Sequence, residues 1–303
     1  MSFINYIFKK LFYVLLVLIT IVIVSFFSVK QIPSDPVTAA FGQKGPTPEQ
    51  RADLEKKLGL DKPTSQQFLI YLKNILKFNF GNSYKYEDQK TLSLFWKSFK
   101  TTLLLSSLSC ILGSLIGICF GSLSALWQNS KKSFILEFIF LFLFSTPTFI
   151  IGFIFQYYLA YKLKLFDISG AFPLPILTLS LAVSGSIFKI TQNNMVDCLK
   201  QPYIATAYAK GLSTKTVIFK HALKNAIIPI LAQIGLVLNY LISGSVITES
   251  IFNLRGVGRL IIDSFHNRDY PIIQCCMILL AIFISVFNLL LDLLYFKLNP
   301  KLK

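Results

Sequence analysis

Apolar runs long enough to cross a bilayer alternate along this chain with short polar blocks. A helix needs about 20 mainly apolar residues to span the hydrocarbon core, and six segments qualify: about 9–29, 101–127, 134–161, 173–192, 229–248 and 272–296. The pattern predicts an all-α polytopic membrane protein with six transmembrane helices. The third segment contains Pro147 in Ser145-Thr146-Pro147-Thr148-Phe149, and a proline there removes a backbone donor and predicts a kink. The fourth is interrupted by Pro173, Pro175 and Gly185. Residues 30–100 form a small extracytoplasmic cap after the first span. Within it Thr47-Pro48-Glu49-Gln50 opens a capped helix that ends at Gly59, and Phe68, Leu69, Leu72, Ile75 and Leu76 recur at helical spacing in Gln66–Phe78.

Charge between the spans sets the orientation. Lys9 and Lys10, Lys131 and Lys132, the 193–228 loop and the tail with Lys297, Lys301 and Lys303 fall on one side, which is cytoplasmic by the positive-inside rule. The 193–228 loop carries Lys200, Lys210, Lys215, Lys220 and Lys224 against the single acid Asp197. Both termini are therefore expected in the cytoplasm. The run from Leu11 to Val29 is too long for a signal-peptide core and no A-x-A site follows it, so it is expected to stay as a transmembrane helix.

Composition agrees with this class. Of the 303 residues 54% are hydrophobic and 15% charged, and mean hydropathy is +0.61. The net charge of +16 sits beside apolar spans rather than along a polar face, which points to lipid headgroups and not to nucleic acid. Cys110, Cys119, Cys198, Cys275 and Cys276 form no CxxC, and His221 and His266 are the only histidines, so neither a metal centre nor a catalytic site is expected on this chain.

Four features could carry function. Pro202 suits a first helical turn, an Ala-rich stretch follows, Gly211 can take the left-handed cap, and Ser213 can cap a second helix through Asn225 before Pro229 starts the next span. A short helix, a glycine turn and a second helix are thus offered to the cytoplasm; a basic interfacial hairpin is the alternative reading. Gly113, Gly117 and Gly121 recur every four residues and line one face of the second span, either for close helix packing or, with Pro147, for a moving gate. Gly256 and Gly258 permit a tight external turn, where Arg255, Arg259, Arg268, Asp263 and Asp269 could form a docking surface or pair among themselves. Glu137 and Asp292, the acids inside the expected spans, sit toward cytoplasmic ends and read as structural.

Ala205-Thr206-Ala207-x-x-x-Gly211 resembles the EAA loop of ABC importer permeases, in the form of the dipeptide/oligopeptide/nickel branch. Ala205 stands at the motif's glutamate, and Lys224 at its usual proline. Ser34-Asp35-Pro36, Leu58-Gly59-Leu60-Asp61-Lys62-Pro63 and Phe80-Gly81-Asn82-Ser83 resemble the branch's pattern after the first helix. Ser145-Thr146-Pro147-Thr148-Phe149 is similar to its third-helix motif; Glu249-Ser250-Ile251-Phe252, Gly256-Val257-Gly258 and Arg268-Asp269-Tyr270-Pro271 are similar to its last external loop, with Leu254-Arg255 where Trp-Pro is usual. The resemblance implies a permease core over 101–296 with its coupling loop at 193–228 and a cytoplasmic tail at 297–303. It implies that Tyr203, Ala205, Thr206, Ala207, Lys210, Gly211 and Leu212 couple to an ATPase subunit, and that Arg255, Gly256, Gly258, Arg268 and Asp269 meet a solute-binding protein.

The implied assembly comprises a homologous second permease, two ATP-binding subunits that hold ATP and Mg, and an extracytoplasmic solute-binding protein, all at a bacterial inner membrane. The chain is then half of a pore for ATP-driven peptide uptake; nickel or a metal–chelator complex is the alternative cargo. No G-x-x-x-x-G-K-[ST] occurs, so ATP hydrolysis is expected in the partners. An ion-coupled secondary transporter would favour buried acids or paired broken helices, and an intramembrane enzyme would need catalytic acids or GxSxG. Neither pattern is clear here.

Overall fold

The computed structural model describes residues 3–31, 37, 45–58, 61–86 and 89–298. Ser34-Asp35-Pro36, Gly59, Leu60, Lys301 and Lys303 lie outside the described residues. Among those described, helices account for all regular structure apart from one bridge between Asn82 and Lys90. Twelve helices are named here: α1 Phe3–Gln31, α2 Pro48–Leu58, α3 Thr64–Leu76, α4 Thr91–Leu126, α5 Lys131–Ser145, α6 Thr148–Lys162, α7 Pro173–Leu199, α8 Pro202–Ala209, α9 Thr214–Ser243, α10 Val246–Ile251, α11 Val257–His266 and α12 Tyr270–Leu298. Five are long and apolar enough to cross a membrane, and the bent pair α5 and α6 supplies a sixth span if counted as one.

The chain divides into two compact units. The first comprises Met1–Thr101 and Arg255–Leu289. Here α2 starts with a reciprocal cap: Gln50 N donates to Thr47 Oγ1 at 3.3 Å and Thr47 N donates to Gln50 Oε1 at 3.0 Å. α3 packs on α1 through Phe26, which meets Phe68 at 5.1 Å and Tyr71 at 5.3 Å between ring centroids, and Ser25 Oγ and Tyr71 Oη share a 2.6 Å hydrogen bond. Most of the outer face of α1 is uncovered by the chain, which suits a helix against lipid.

The second unit comprises Thr102–Leu254 and Leu290–Lys303. α7 is its axis, and it corrects an expectation. Pro173, Pro175 and Gly185 do not interrupt it: Pro173 occupies the first turn, where no backbone donor is needed, and the helix runs unbroken to Leu199. Gly185 lets α5 approach, since a Cβ there would stand 2.6 Å from Phe140 O and 2.7 Å from Phe144 Cβ. The third span, in contrast, is far more than kinked. α5 and α6 meet at 97° across Thr146-Pro147, both extended in backbone, because Pro147 cannot donate back into α5.

α9 is a second correction. It does not stop at Asn225 to restart at Pro229 but runs through from Thr214, with wide π-type turns over Val217–Ala222 and Pro229 inside. Ala222, Ala226 and Ile230 are fully buried around that proline, so packing offsets the single hydrogen bond it cannot make.

At the loop-facing end of α6, Tyr157, Tyr158 and Tyr161 are exposed, and Lys162 Nζ sits over two of their rings. At the other end of the α5–α6 pair Lys132 sits over Trp127. Aromatic rings paired with cations at both ends of the pair are the groups that suit a membrane–water boundary.

Candidate functional site

The 201–211 segment forms the turn its residues foretell. Pro202 opens α8. Gly211 takes φ +77°, Leu212 N donates to Ala207 O at 3.3 Å and Gly211 N to Tyr208 O at 2.9 Å, the paired bonds of a Schellman cap. Ser213 Oγ then accepts from Thr216 N and starts α9. This gives the eight-residue α8 a defined direction despite being too short to hold alone.

Packing divides the coupling candidates into two sets. Ile204 and Ala207 are buried and, with Leu212, join Ala125, Met195, Val217 and Ala222 in one apolar cluster. Tyr203, Ala205, Thr206, Lys210 and Gly211 are exposed on the opposite side, beside Tyr208 and Ala209. Ala207 therefore anchors the hairpin and does not offer its side chain outward. Phe219, 68% exposed on the first turns of α9, adds a large apolar group that the sequence reading passed over.

Gly113, Gly117 and Gly121 are brought together against α7. A Cβ on them would stand 2.7 Å from Ser180 O, 2.8 Å from Ser184 O and 2.7 Å from Phe188 O respectively, so three backbone carbonyls of α7 fill the glycine face. Pro147 lies apart from this seam, at the α5–α6 bend.

The turn around Gly256 and Gly258, expected to be external, differs from its expected shape. Gly256 is extended at φ −90°, ψ 179° and precedes α11, and Gly258 lies inside α11; the left-handed residues are Asn253 and Arg268. Arg255 and Arg268 are exposed. Asp269 is 1% exposed, and one carboxylate oxygen accepts from Ser83 Oγ at 2.5 Å and from the N–H groups of Tyr84 and Lys85 at 3.1 Å each. That oxygen is thus committed within the chain, and the other is buried as well, so the carboxylate is withdrawn from a docking protein.

Burial pushes the Tyr84 phenol up from 10.0 to about 12, with the charges of Asp269 and Tyr270 adding to the rise. A raised folded value favours the neutral phenol in the fold. Its contribution is full below pH 10 and is lost as pH climbs toward 12. The protection of amides in residues 81–86, each rate taken relative to the base-catalysed rate of a free amide at the same pH, is expected to fall only across that window.

Two further carboxylates are held inside the second unit. Glu137 accepts from Gln192 Nε2 at 2.5 Å and Ser133 Oγ at 3.3 Å, and Lys189 Nζ donates to the other end of the Gln192 amide at 3.3 Å. Glu249, read from sequence as part of the external loop, is fully buried in α10 and accepts from Thr102 Oγ1 at 2.6 Å and Ser245 Oγ at 2.8 Å. Thr102→Val should lower stability by about 1–3 kcal/mol by removing one donor from a buried carboxylate. Thermal unfolding in detergent measures this, against an unchanged midpoint for the exposed control Phe134→Leu.

The family model described as "Binding-protein-dependent transport system inner membrane component" matches residues 117–303, and its N-terminal counterpart matches residues 3–108. The dipeptide transport system permease protein DppB of Lactococcus lactis subsp. cremoris is 35% identical over 305 residues, covering 99% of each chain. The oligopeptide transport system permease protein OppB of Haemophilus influenzae is 32% identical over 307 residues, again covering 99% of each, and the glutathione transport system permease protein GsiC of Pectobacterium atrosepticum is 33% identical over 304, also with 99% of each covered. A solved inward-facing MetNI methionine ABC transporter has a TM-score of 0.61 at 16% identity, covering 68% of this chain and 96% of that one, which shows a shared fold. With both family models and full-length relatives in agreement, the chain belongs to the family of binding-protein-dependent transport system inner membrane components.

Proposed function

We propose that this chain is one half of a peptide-importing pore, driven by partner ATPases through the hairpin at 201–211. The observation that carries the proposal is the division of α8: Ile204 and Ala207 hold it to the chain, while Ala205, Thr206, Tyr203, Tyr208 and the Gly211 turn are left exposed on a rigid cap. Small exposed residues let a partner's groove approach closely, and the buried anchor passes any displacement to α7 and α9. With Ala205 at the motif's glutamate position, docking relies on shape and on Tyr203, Tyr208 and Phe219 rather than on a carboxylate. The chain does not hydrolyse ATP; two ATP-binding subunits do, a homologous permease completes the pore, and a solute-binding protein delivers cargo near Arg255 and Arg268. Both termini and the 193–228 loop face the cytoplasm of a bacterium.

Peptide is the cargo because the relatives that align end to end are named for dipeptide, oligopeptide and glutathione transport, and glutathione is itself a peptide. The test uses the complete importer in proteoliposomes with its binding protein. ATP-dependent accumulation of labelled dialanine or trialanine is expected, and accumulation of nickel without either peptide would contradict the reading.

A further inference from the structure

The α5–α6 bend leaves a cavity of about 440 Å³ in the second unit, closed by α7 and α9. Its size falls in the ~300–1,000 Å³ range of small-ligand sites. Polar and apolar groups are mixed along its wall: Thr146 at the bend, Ser186 on α7, and Gln233, Leu236, Val237 and Tyr240 at successive positions of one α9 face. The side chains of Gln233 and Tyr240 have no hydrogen-bond partner among the described residues. Tyr240 and Leu236 are 58% and 61% exposed, so one wall of the cavity faces away from this chain.

A broken helix at membrane depth also frees backbone groups. Thr146 N and Oγ1 both donate to Phe142 O, and Ile150 N donates to Pro147 O, but Pro147 has no N–H and the last carbonyls of α5 lose their helical partners. Irregular backbone in a membrane is tolerated where it is buried in protein or lines a water-filled space. The cavity on the concave side supplies that space. An unpaired amide such as Gln233 facing lipid would be costly, which again favours water and ligand on this face.

We propose that this cavity is a peptide-backbone site within the translocation path, with Gln233 and Tyr240 hydrogen-bonding the amide groups of the passing peptide and Leu236 and Val237 accommodating its variable side chains. The inference rests on the reading of the chain as a peptide permease and adds the residues that touch the cargo. Few polar groups set among apolar ones suit a ligand with a constant backbone and changing side chains. The site is completed by the partner permease across the exposed Tyr240 and Leu236.

The test uses the complete importer in membrane vesicles. In a chain whose five native cysteines are replaced by alanine, Gln233→Cys and, as an independent variant, Tyr240→Cys are reacted with a charged, water-soluble thiol reagent, beside the exposed off-site control Phe138→Cys in the middle of α5. Both site variants are expected to label, Phe138→Cys to stay unlabelled in lipid, and dialanine with binding protein and ATP to slow site labelling several-fold. Gln233→Leu is expected to cut the maximal rate of dialanine uptake about five- to tenfold, the loss of roughly one hydrogen bond, with ATPase co-purification unchanged. Wild-type uptake of dialanine together with inaccessible site cysteines, or with labelling that dialanine leaves unchanged, would overturn the site alone. Absence of any peptide uptake by the wild type would overturn the peptide reading and the site with it.

Discussion

Gly211→Trp is expected to abolish ATP-driven uptake while leaving the protein in the membrane at its normal level. Gly211 sits at φ +77°, where an L side chain is strained by roughly 1–2 kcal/mol. Among the described residues, and apart from its two chain neighbours, no atom lies within 4 Å of the position a Cβ would take, so a side chain leaves the turn into open space. Folding of the spans therefore survives. The cap bonds from Leu212 and Gly211 are weakened, α8 loses its fixed direction, and a large ring stands at the exposed turn that ends α8. Uptake and co-purification of the ATPase subunit should both fall at least about tenfold, a loss of roughly 1.4 kcal/mol or more in docking. Normal uptake in this variant would show that the turn does not couple anything.

Gly117→Val is expected to have the opposite signature: little folded protein, and with it little uptake. A Cβ at Gly117 would stand 2.8 Å from both Ser184 O and Ile187 Cβ, and the methyl groups of valine would go deeper. A backbone carbonyl inside an unbroken helix cannot step aside as a flexible side chain can. Overpacking of this kind costs about 1–3 kcal/mol, and more where backbone must move. Thermal unfolding of detergent-purified protein measures it. A Gly117→Ala variant should lie between the two, and a wild-type midpoint in Gly117→Val would mean that the α4–α7 seam opens readily, as a moving gate would.

Much of this architecture was legible in the sequence because membrane spans and caps are local. The helical spacing of Phe68, Leu72 and Ile75, the glycine face of α4, Pro202 and the Gly211 turn all follow from residue type and short-range spacing. The prolines of α7 were misleading for a local reason too: Pro173 marks a helix start, and reading it as an interruption ignored that the first turn needs no donor. At Pro147 the direction of the error reversed, since sequence foretold a kink but not a 97° break.

What sequence could not show was pairing at long range. Glu249 finds Thr102 across 147 positions, and Asp269 finds Ser83 across 186. Both acids belong to a stretch whose charge balance reads as solvated loop. Likewise, nothing in the Ala-rich stretch of α8 tells that Ala207 faces inward while Ala205 faces outward; that depends on how α8 rolls onto Met195 and Val217. Glu137 is the exception, as its position toward the end of an expected span already read as structural.

The proposed coupling requires the exposed face of α8 to meet an ATP-binding subunit. The most direct measurement is site-directed cross-linking in the complete importer, in a chain whose five native cysteines are replaced by alanine, with a cysteine placed in turn at Ala205, at Thr206 and at the buried Ala207, and a short thiol-reactive linker. Cross-links from Ala205→Cys and Thr206→Cys to the ATP-binding subunit, diminished when ATP changes the state of that subunit and weak or absent from Ala207→Cys, are the predicted result. No cross-link to that subunit from either exposed position, in an importer that still accumulates peptide, would contradict it.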